Sequence, residues 1–312
     1  MEDYIFKRVT EESYPDLLAL HQAAYGKRET PGYYKHKMNT GYLGPSHLAY
    51  IAYSKKDGAP VAFYGVYPYQ VQYKGQVYLV AQSGDTMTHP AHSGKGLFTE
   101  LAKVTYALAK ENGIQFVFGF PNHKSFPVLT KKLGWGYKEN MNSYAIKVFT
   151  LPLAAVAKKS YILRVMYASY LKVMISFFKS STKLIPNSVI TDKLGGVYRT
   201  PAFVKYKQFY DNYFIDLNGK AAWVKVDGDM IVGDMELMSD REMLHAMSKL
   251  KQIAFWLGCI RIIWQVGKDT PLDHLLKGKA ELGEGIYVCH LDLQSSLPLD
   301  DIKYVYADYD TF

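Results

Sequence analysis

The chain has 312 residues, 48% apolar and 21% charged, which excludes a disordered tail and gives length enough for two cores. Its formal net charge of +8 is concentrated: residues 151–200 carry eight basic side chains against one acid, Asp192, while the flanking halves are nearly neutral, so a broad basic face for nucleic acid is not expected. Two cysteines, Cys259 and Cys289, are too few and too far apart for a disulfide framework or a zinc site.

The opening stretch MEDYIFKRVT has early acids and no apolar core, so no secretory signal is expected and the reading is cytoplasmic. Residues 14–26 have helical spacing at Leu17, Leu18 and His21, with Gly26 as a stop. The segments 45–54, 60–73 and 77–88 read as three strands, joined by turn signals at KKDGA and YKGQ. HPAHSGKGLF (89–98) is a glycine-rich turn that opens a helix with Leu97, Leu101, Val104 and Leu108 on one face. Asn112 and Gly113 close that helix. A short apolar strand at 114–120, a helix at 125–135 and a strand at 136–149 complete a first half of residues 1–150.

An antiparallel meander that turns parallel through one helical crossover has to splay, and the expected gap lies between strands 77–88 and 114–120. Backbone N–H groups at a glycine turn feeding a helix can hold an anion beside such a gap. The turn lacks what a Walker loop needs, with His89 in place of glycine and Gly96 in place of Ser or Thr, and a dinucleotide fingerprint would need a glycine where Thr99 stands.

The stretch resembles motif A of the GCN5-related N-acetyltransferases (GNAT), Q/R-x-x-G-x-G/A, with Gly94 and Gly96 on the two glycines and Pro90 on the proline that commonly ends the preceding strand. Downstream, FPNHKSFPVLTKKLGW is similar to the family's closing pattern, with Asn122 on the asparagine that bonds the pantetheine arm and KKLGW on its K-x-L-G-F/W ending. The resemblance covers about the first half of the chain. It implies acetyl-CoA as co-substrate, a small-molecule amine such as an amino sugar as acceptor, and coenzyme contacts from Thr86, Met87, Thr88, Gly94, Lys95, Gly96, Leu97, Phe98, Thr99, Asn122 and Ser125. It departs from the family at Ala91, Ser93 and Thr130, the last replacing the tyrosine that often protonates the leaving thiolate.

Acetyl transfer to an amine needs a polarised thioester carbonyl and a base. Asp85 is the first candidate base and His89 the second. The C-terminal carboxylate of Phe312 is a third, by likeness to multidomain relatives that use their terminus so. Tyr33, Tyr34 and Tyr42, in a Gly/Pro-rich loop, are the candidate acceptor-binding residues. No metal is expected.

Residues 151–200 read as a basic connector whose helix, 158–183, gathers Ile162, Met166, Tyr170, Val173, Met174 and Phe177 on one side. That face is expected to pack between two globular halves, with an anionic membrane surface as the alternative. From 201 to 312 the order repeats in outline: strands 221–228 and 229–238, helix 240–258, strand 259–266, helix 271–278, and strands 285–293 and 302–310. The expected fold class is therefore α+β, an α/β/α layered arrangement of two GNAT-like domains, each a mixed, mostly antiparallel sheet flanked by helices, the second degenerate. Asp240 and Glu242 at the second helix start would repel a pyrophosphate, so one coenzyme per chain is expected. Two other functions fit less well: a tandem aminoacyl transferase of the cell-wall type, which does not need the glycine turn, and a non-catalytic coenzyme-binding scaffold.

Overall fold

The computed structural model describes residues 2–312. Among the described residues, twelve strands and nine helices follow in chain order. They are β1 (Tyr4–Arg8), α1 (Tyr14–Tyr25), α2 (Tyr33–Lys37), β2 (Ala49–Ser54), β3 (Pro60–Tyr73), β4 (Gln76–Thr88), α3 (Leu97–Glu111), β5 (Phe116–Gly119), α4 (Phe126–Lys132), β6 (Gly136–Lys147), α5 (Leu153–Ala157) and α6 (Tyr161–Phe178). The rest are β7 (Gly196–Val197), α7 (Pro201–Lys207), β8 (Asn212–Asp216), β9 (Ala221–Asp227), β10 (Asp229–Met235), α8 (Asp240–Leu257), β11 (Arg261–Val266), α9 (Pro271–Leu276) and β12 (Glu281–Asp292). The mixed α/β architecture of sheets flanked by helices is the one expected.

The chain divides into two compact units that are not simply its two halves. Unit 1 comprises residues 1–71, 77–138 and 287–299; unit 2 comprises 72–76, 139–286 and 300–312. Most of β6, read from sequence as closing the first half, therefore lies in unit 2, where it pairs antiparallel with β11 from Lys147↔Arg261 to Asn142↔Val266. In return, the second part of β12 pairs with β5 in unit 1, Cys289↔Gly119 and His290↔Phe118. Each half of the sequence thus lends a strand to the unit dominated by the other.

In unit 1 the strands run in the order β1-β2-β3-β4-β5-β12. Lys74 and Gly75 both have positive φ, 47° and 78°, the two-residue turn that matches the twist of a tight hairpin between β3 and β4. Helix α3 buries Leu97, Leu101, Ala102, Tyr106 and Leu108 against the sheet. The KKLGW ending closes this core: Trp135 packs over Gly119, where a side chain's Cβ would lie 3.2 Å from the indole. Its Nε1–H donates to Tyr106 Oη at 2.9 Å, and Tyr106 bonds Tyr64 Oη at 2.6 Å. Buried hydroxyls are satisfied within one aromatic chain, as interior polar groups require.

Unit 2 repeats the order of unit 1: antiparallel β8, β9 and β10, then α8, then β11 parallel to β10. Two expectations fail here. Residues 302–310 do not form a strand. They bridge singly at Ile302 and Val305 and turn through a short 3-10 helix at Tyr306–Asp308, because the Asp308 carboxylate accepts Val305 N–H at 2.9 Å and meets Arg199 inside the unit. Nor is the apolar face of α6 covered; α6 buries Leu171 and Ile175 and leaves Ile162, Met166, Val173 and Phe177 exposed.

Arg199 also pairs with Asp234 at 2.6 Å, both fully enclosed. Burial pushes the Asp308 carboxyl up to about 6 despite the Arg199 charge beside it. The folded state therefore holds this proton to higher pH than the unfolded chain, whose carboxyl titrates near 3.8, so Asp308 adds stability as pH falls through that window and loses it as pH rises. In denaturant titrations the wild type should gain on Asp308→Asn between neutral pH and the bottom of the window; a difference constant with pH would contradict this.

Candidate active site

The glycine turn has the backbone geometry that an anion site needs. Gly94 and Gly96 have φ of 77° and 78°, a left-handed conformation that glycine adopts without strain, and Gly96 caps the fifteen-residue helix α3. Residues 93–96 are exposed. The first protein-bonded amides past the turn are those of Thr99 and Glu100, which reach Gly96 O at 3.1 and 3.2 Å. The N–H groups of Gly94, Lys95, Gly96, Leu97 and Phe98 donate to no oxygen among the described residues. Five open amides at the positive end of a helix suit a diphosphate. Leu97 is buried and Phe98 packs edge-on against Tyr64 at 5.2 Å, so side chains fix the turn from below. Lys95 Nζ lies 5.9 Å from the Tyr4 ring centroid.

The corresponding position of unit 2 is closed. Ser239 Oγ accepts Glu242 N–H at 3.3 Å and Glu242 Oε2 accepts Ser239 N–H at 2.8 Å, a capping box that satisfies amides from within and adds negative charge.

Strands β4 and β5 are paired for only a short run. β4 and β5 pair in parallel over Ala81↔Val117 and Gln82↔Phe118; β5 ends at Gly119, whereas β4 continues to Thr88. Asp85 bends β4 at that point, with φ of 50°, an uncommon conformation for a residue with a side chain. Beyond it, Thr86 O accepts the Tyr25 hydroxyl at 2.6 Å, Met87 is buried with Tyr34 Oη 3.5 Å from its sulfur, and Thr88 is half-buried.

Asp85 is a hub. Its Oδ2 accepts from the Lys37 ammonium and from Tyr67 Oη at 2.9 Å, and its Oδ1 from Tyr33 Oη at 3.3 Å. Lys37 is wholly buried, its Nζ 4.8 Å from the Tyr67 ring centroid and 5.3 Å from that of Tyr33. Burial, reinforced by the Asp85 charge, raises the Tyr34 and Tyr67 hydroxyls far above their ordinary range, so both are held as neutral donors. Tyr33 and Tyr34 stand on helix α2, where the sequence suggested a loop, and Tyr42 lies on a separate 3-10 turn, partly exposed. Lys37 and Tyr67 were not anticipated; nothing in YYKHK marks its second lysine as interior.

The remaining candidates are engaged elsewhere. His89 Nδ1 accepts Ala91 N–H at 3.2 Å, which makes it a cap of the turn before Gly94. Asn122 Oδ1 accepts Lys124 N–H at 2.9 Å and Ser125 N–H at 3.1 Å, and Ser125 Oγ accepts Asn122 N–H at 3.1 Å. Asn122 therefore folds the loop before α4 with its carbonyl and keeps its amide group as a donor. Thr130 Oγ1 donates to Phe126 O at 2.9 Å, within its own helix. Phe312 belongs to the core of unit 2: its ring meets Trp223 edge-on at 5.4 Å and fills the space over Gly233, where a Cβ would come within 2.2 Å. Asp85 and the glycine turn are in unit 1. One further pair was not foreseen: Tyr287, on the β12 segment beside β5, stacks on Phe126 at 4.5 Å and places its hydroxyl 3.2 Å from His123 Nδ1.

An exposed left-handed turn with open amides, a following helix and two briefly paired parallel strands coincide with a family match. Residues 6–138 match the model of the acetyltransferase (GNAT) domain. This part of the chain is a GNAT acetyltransferase domain. No curated protein matches the chain by sequence. Among solved structures, the chain is similar to a GCN5-related N-acetyltransferase from Kribbella flavida (12% identity, TM-score 0.57, covering 92% of this chain and 70% of that one). It is also similar to a conserved protein of unknown function from Enterococcus faecalis (14%, 0.60, 93% and 73%) and to a GCN5-related N-acetyltransferase from Anabaena variabilis (13%, 0.55, 92% and 72%). At these identities the likeness is one of fold, and it extends over both units.

Proposed function

We propose that the chain is an acetyl-CoA-dependent N-acetyltransferase of the cytoplasm, acting on a small-molecule amine, with unit 2 a degenerate second GNAT-like unit. The observation that carries this reading is the set of unpaired amides at residues 94–98. They suit the pyrophosphate, with Lys95 as local charge and the Asn122 amide group as a donor to the pantetheine arm. The coenzyme supplies the activated acetyl thioester. Asp85 Oδ1, which has a hydroxyl neighbour at 3.3 Å but no cation, keeps a lone pair for the acceptor's N–H, while Tyr33 and Tyr34 border the same place. Lys37 and Tyr67 hold the carboxylate in position.

The thiolate needs a proton that Thr130 does not supply, since its hydroxyl is committed to Phe126 O. Tyr287 is the candidate donor. In antiparallel register with β5 it falls beside Pro121, just beyond the end of that strand, and His123 is positioned to share its proton. Tyr287→Phe is expected to lower kcat about a hundredfold or more, in the range of general acid catalysis, with acetyl-CoA affinity unchanged; Thr130→Val is expected to leave kcat unchanged. Equal kcat in Tyr287→Phe and wild type would remove Tyr287 from the reaction.

A second reading, coenzyme binding without transfer, is favoured by the three donors on Asp85. Calorimetric titration with acetyl-CoA and CoA, followed by turnover across an amine panel that includes amino sugars, separates the two. Binding with turnover is expected. Binding without turnover on any amine would favour the second reading, and no binding at millimolar coenzyme would reject both. The aminoacyl-transferase alternative is disfavoured by the open pyrophosphate turn.

A further inference from the structure

Helix α6 in unit 2 is fastened along one side only. The Tyr167 hydroxyl donates to Leu257 O at 2.7 Å, Tyr170 donates to Trp256 O, and Leu171 and Ile175 are buried. On the opposite side Ile162, Met166, Val173 and Phe177 line up at intervals of four, seven and four residues and are 69%, 65%, 58% and 73% exposed. Other apolar side chains around α6 are exposed as well. Phe255 and Trp256, at the end of α8 beside the fastened side of α6, are also half exposed. Leu153, Val156, Leu163 and Met166 line an open apolar groove of ≈ 240 Å³ between α5 and α6. An outward apolar stripe beside an open apolar groove marks a binding surface.

The charge around it identifies the occupant. Residues 149–183 carry six basic side chains, Lys158, Lys159, Arg164, Lys172, Lys179 and Lys183, and no carboxylate. Lys158 pairs with Asp227 at 2.7 Å; the lysines before and after α6 bracket the stripe. A second copy of this chain would bring cation against cation. An anionic bilayer supplies both hydrocarbon for the stripe and negative headgroups for the lysines.

We propose that this face rests on an anionic membrane, with α6 lying in the plane of the headgroups and its apolar stripe inward. By length and composition α6 could cross a bilayer. It does not do so here, because a spanning helix gives every side to hydrocarbon, whereas α6 gives one side to unit 2 through two tyrosine hydroxyls and carries Arg164 and Lys172 mid-helix.

The test is flotation of the full chain with vesicles of phosphatidylcholine alone and of phosphatidylcholine mixed equally with phosphatidylglycerol. Binding to the mixed vesicles, weaker at high salt and on neutral vesicles, is expected. Met166→Glu/Phe177→Glu should weaken it by about tenfold or more, given the apolar area each side chain removes from water. Lys179→Glu/Lys183→Glu should weaken binding to mixed vesicles by a similar factor of about ten. All four side chains point away from the core, so thermal melts and acetyl-CoA titrations should match the wild type. No flotation at low salt, equal flotation of wild type and Met166→Glu/Phe177→Glu, or binding indifferent to phosphatidylglycerol would each overturn the proposal. So would a concentration-dependent dimer that the same substitutions abolish in the absence of vesicle binding.

Discussion

Replacing Lys37 with methionine is expected to destabilise the protein by about 3–5 kcal/mol, the usual cost of leaving one member of a buried ion pair unpaired. Lys37 is fully enclosed and its ammonium meets Asp85, whose carboxylate is itself nearly enclosed. Taking away the cation leaves that carboxylate with only the Tyr67 and Tyr33 hydroxyls to solvate it. Asp85→Asn should be destabilising by a comparable route, since the ammonium then faces a neutral amide. The double variant Lys37→Met/Asp85→Asn should recover part of the loss, because both charges leave together, and the coupling is read from a double-mutant cycle in urea. Additive losses would mean that the two residues act separately. The positive φ of Asp85 gives the pair a second role: it fixes the bend at which β4 leaves β5. Loss of the pair should therefore also weaken coenzyme binding, through geometry rather than contact.

The second large effect is at the turn. Gly96→Val is expected to reduce acetyl-CoA affinity by about tenfold to a hundredfold, as each charge-assisted amide bond to phosphate contributes about 1.5–3 kcal/mol. A φ of 78° is strained for any β-branched residue, so the backbone has to rotate and carry the amides of Lys95 to Phe98 off their common aim. The turn is exposed and outside the core, so melting should change much less than affinity. A calorimetric titration at matched fold, checked by circular dichroism, gives the comparison; unchanged affinity would mean that the turn does not hold phosphate.

What was legible in the sequence was local. Glycines at 94 and 96 before an apolar-periodic run specify a left-handed turn and a helix start, and Asn112-Gly113 specifies its end, because a few neighbouring residues determine each feature. The parallel pairing of β4 with β5 through one helical crossover followed from element order alone. Partners distant in sequence were not legible. The exchange of β6 and β12 between units depends on which edges meet, and alternation of apolar residues is the same for any pairing. Lys37 becomes interior only when α2, β3 and β4 converge on Asp85. Residues 302–310 alternate like a strand, yet a buried Arg199–Asp308 pair turns them, a tertiary contact overriding a local pattern. His89, Asn122 and Thr130 stand out in the sequence by motif spacing, but the structure commits their side chains, in whole or part, to neighbouring backbone groups.

Amide NMR spectra of nitrogen-labelled protein titrated with CoA test the central claim most directly. The N–H resonances of Gly94 to Phe98 are expected to move together and saturate with the affinity measured calorimetrically, while the Ser239–Glu242 cap in unit 2 stays still. Saturable binding that leaves residues 94–98 unmoved would contradict the assignment of this turn as the diphosphate site.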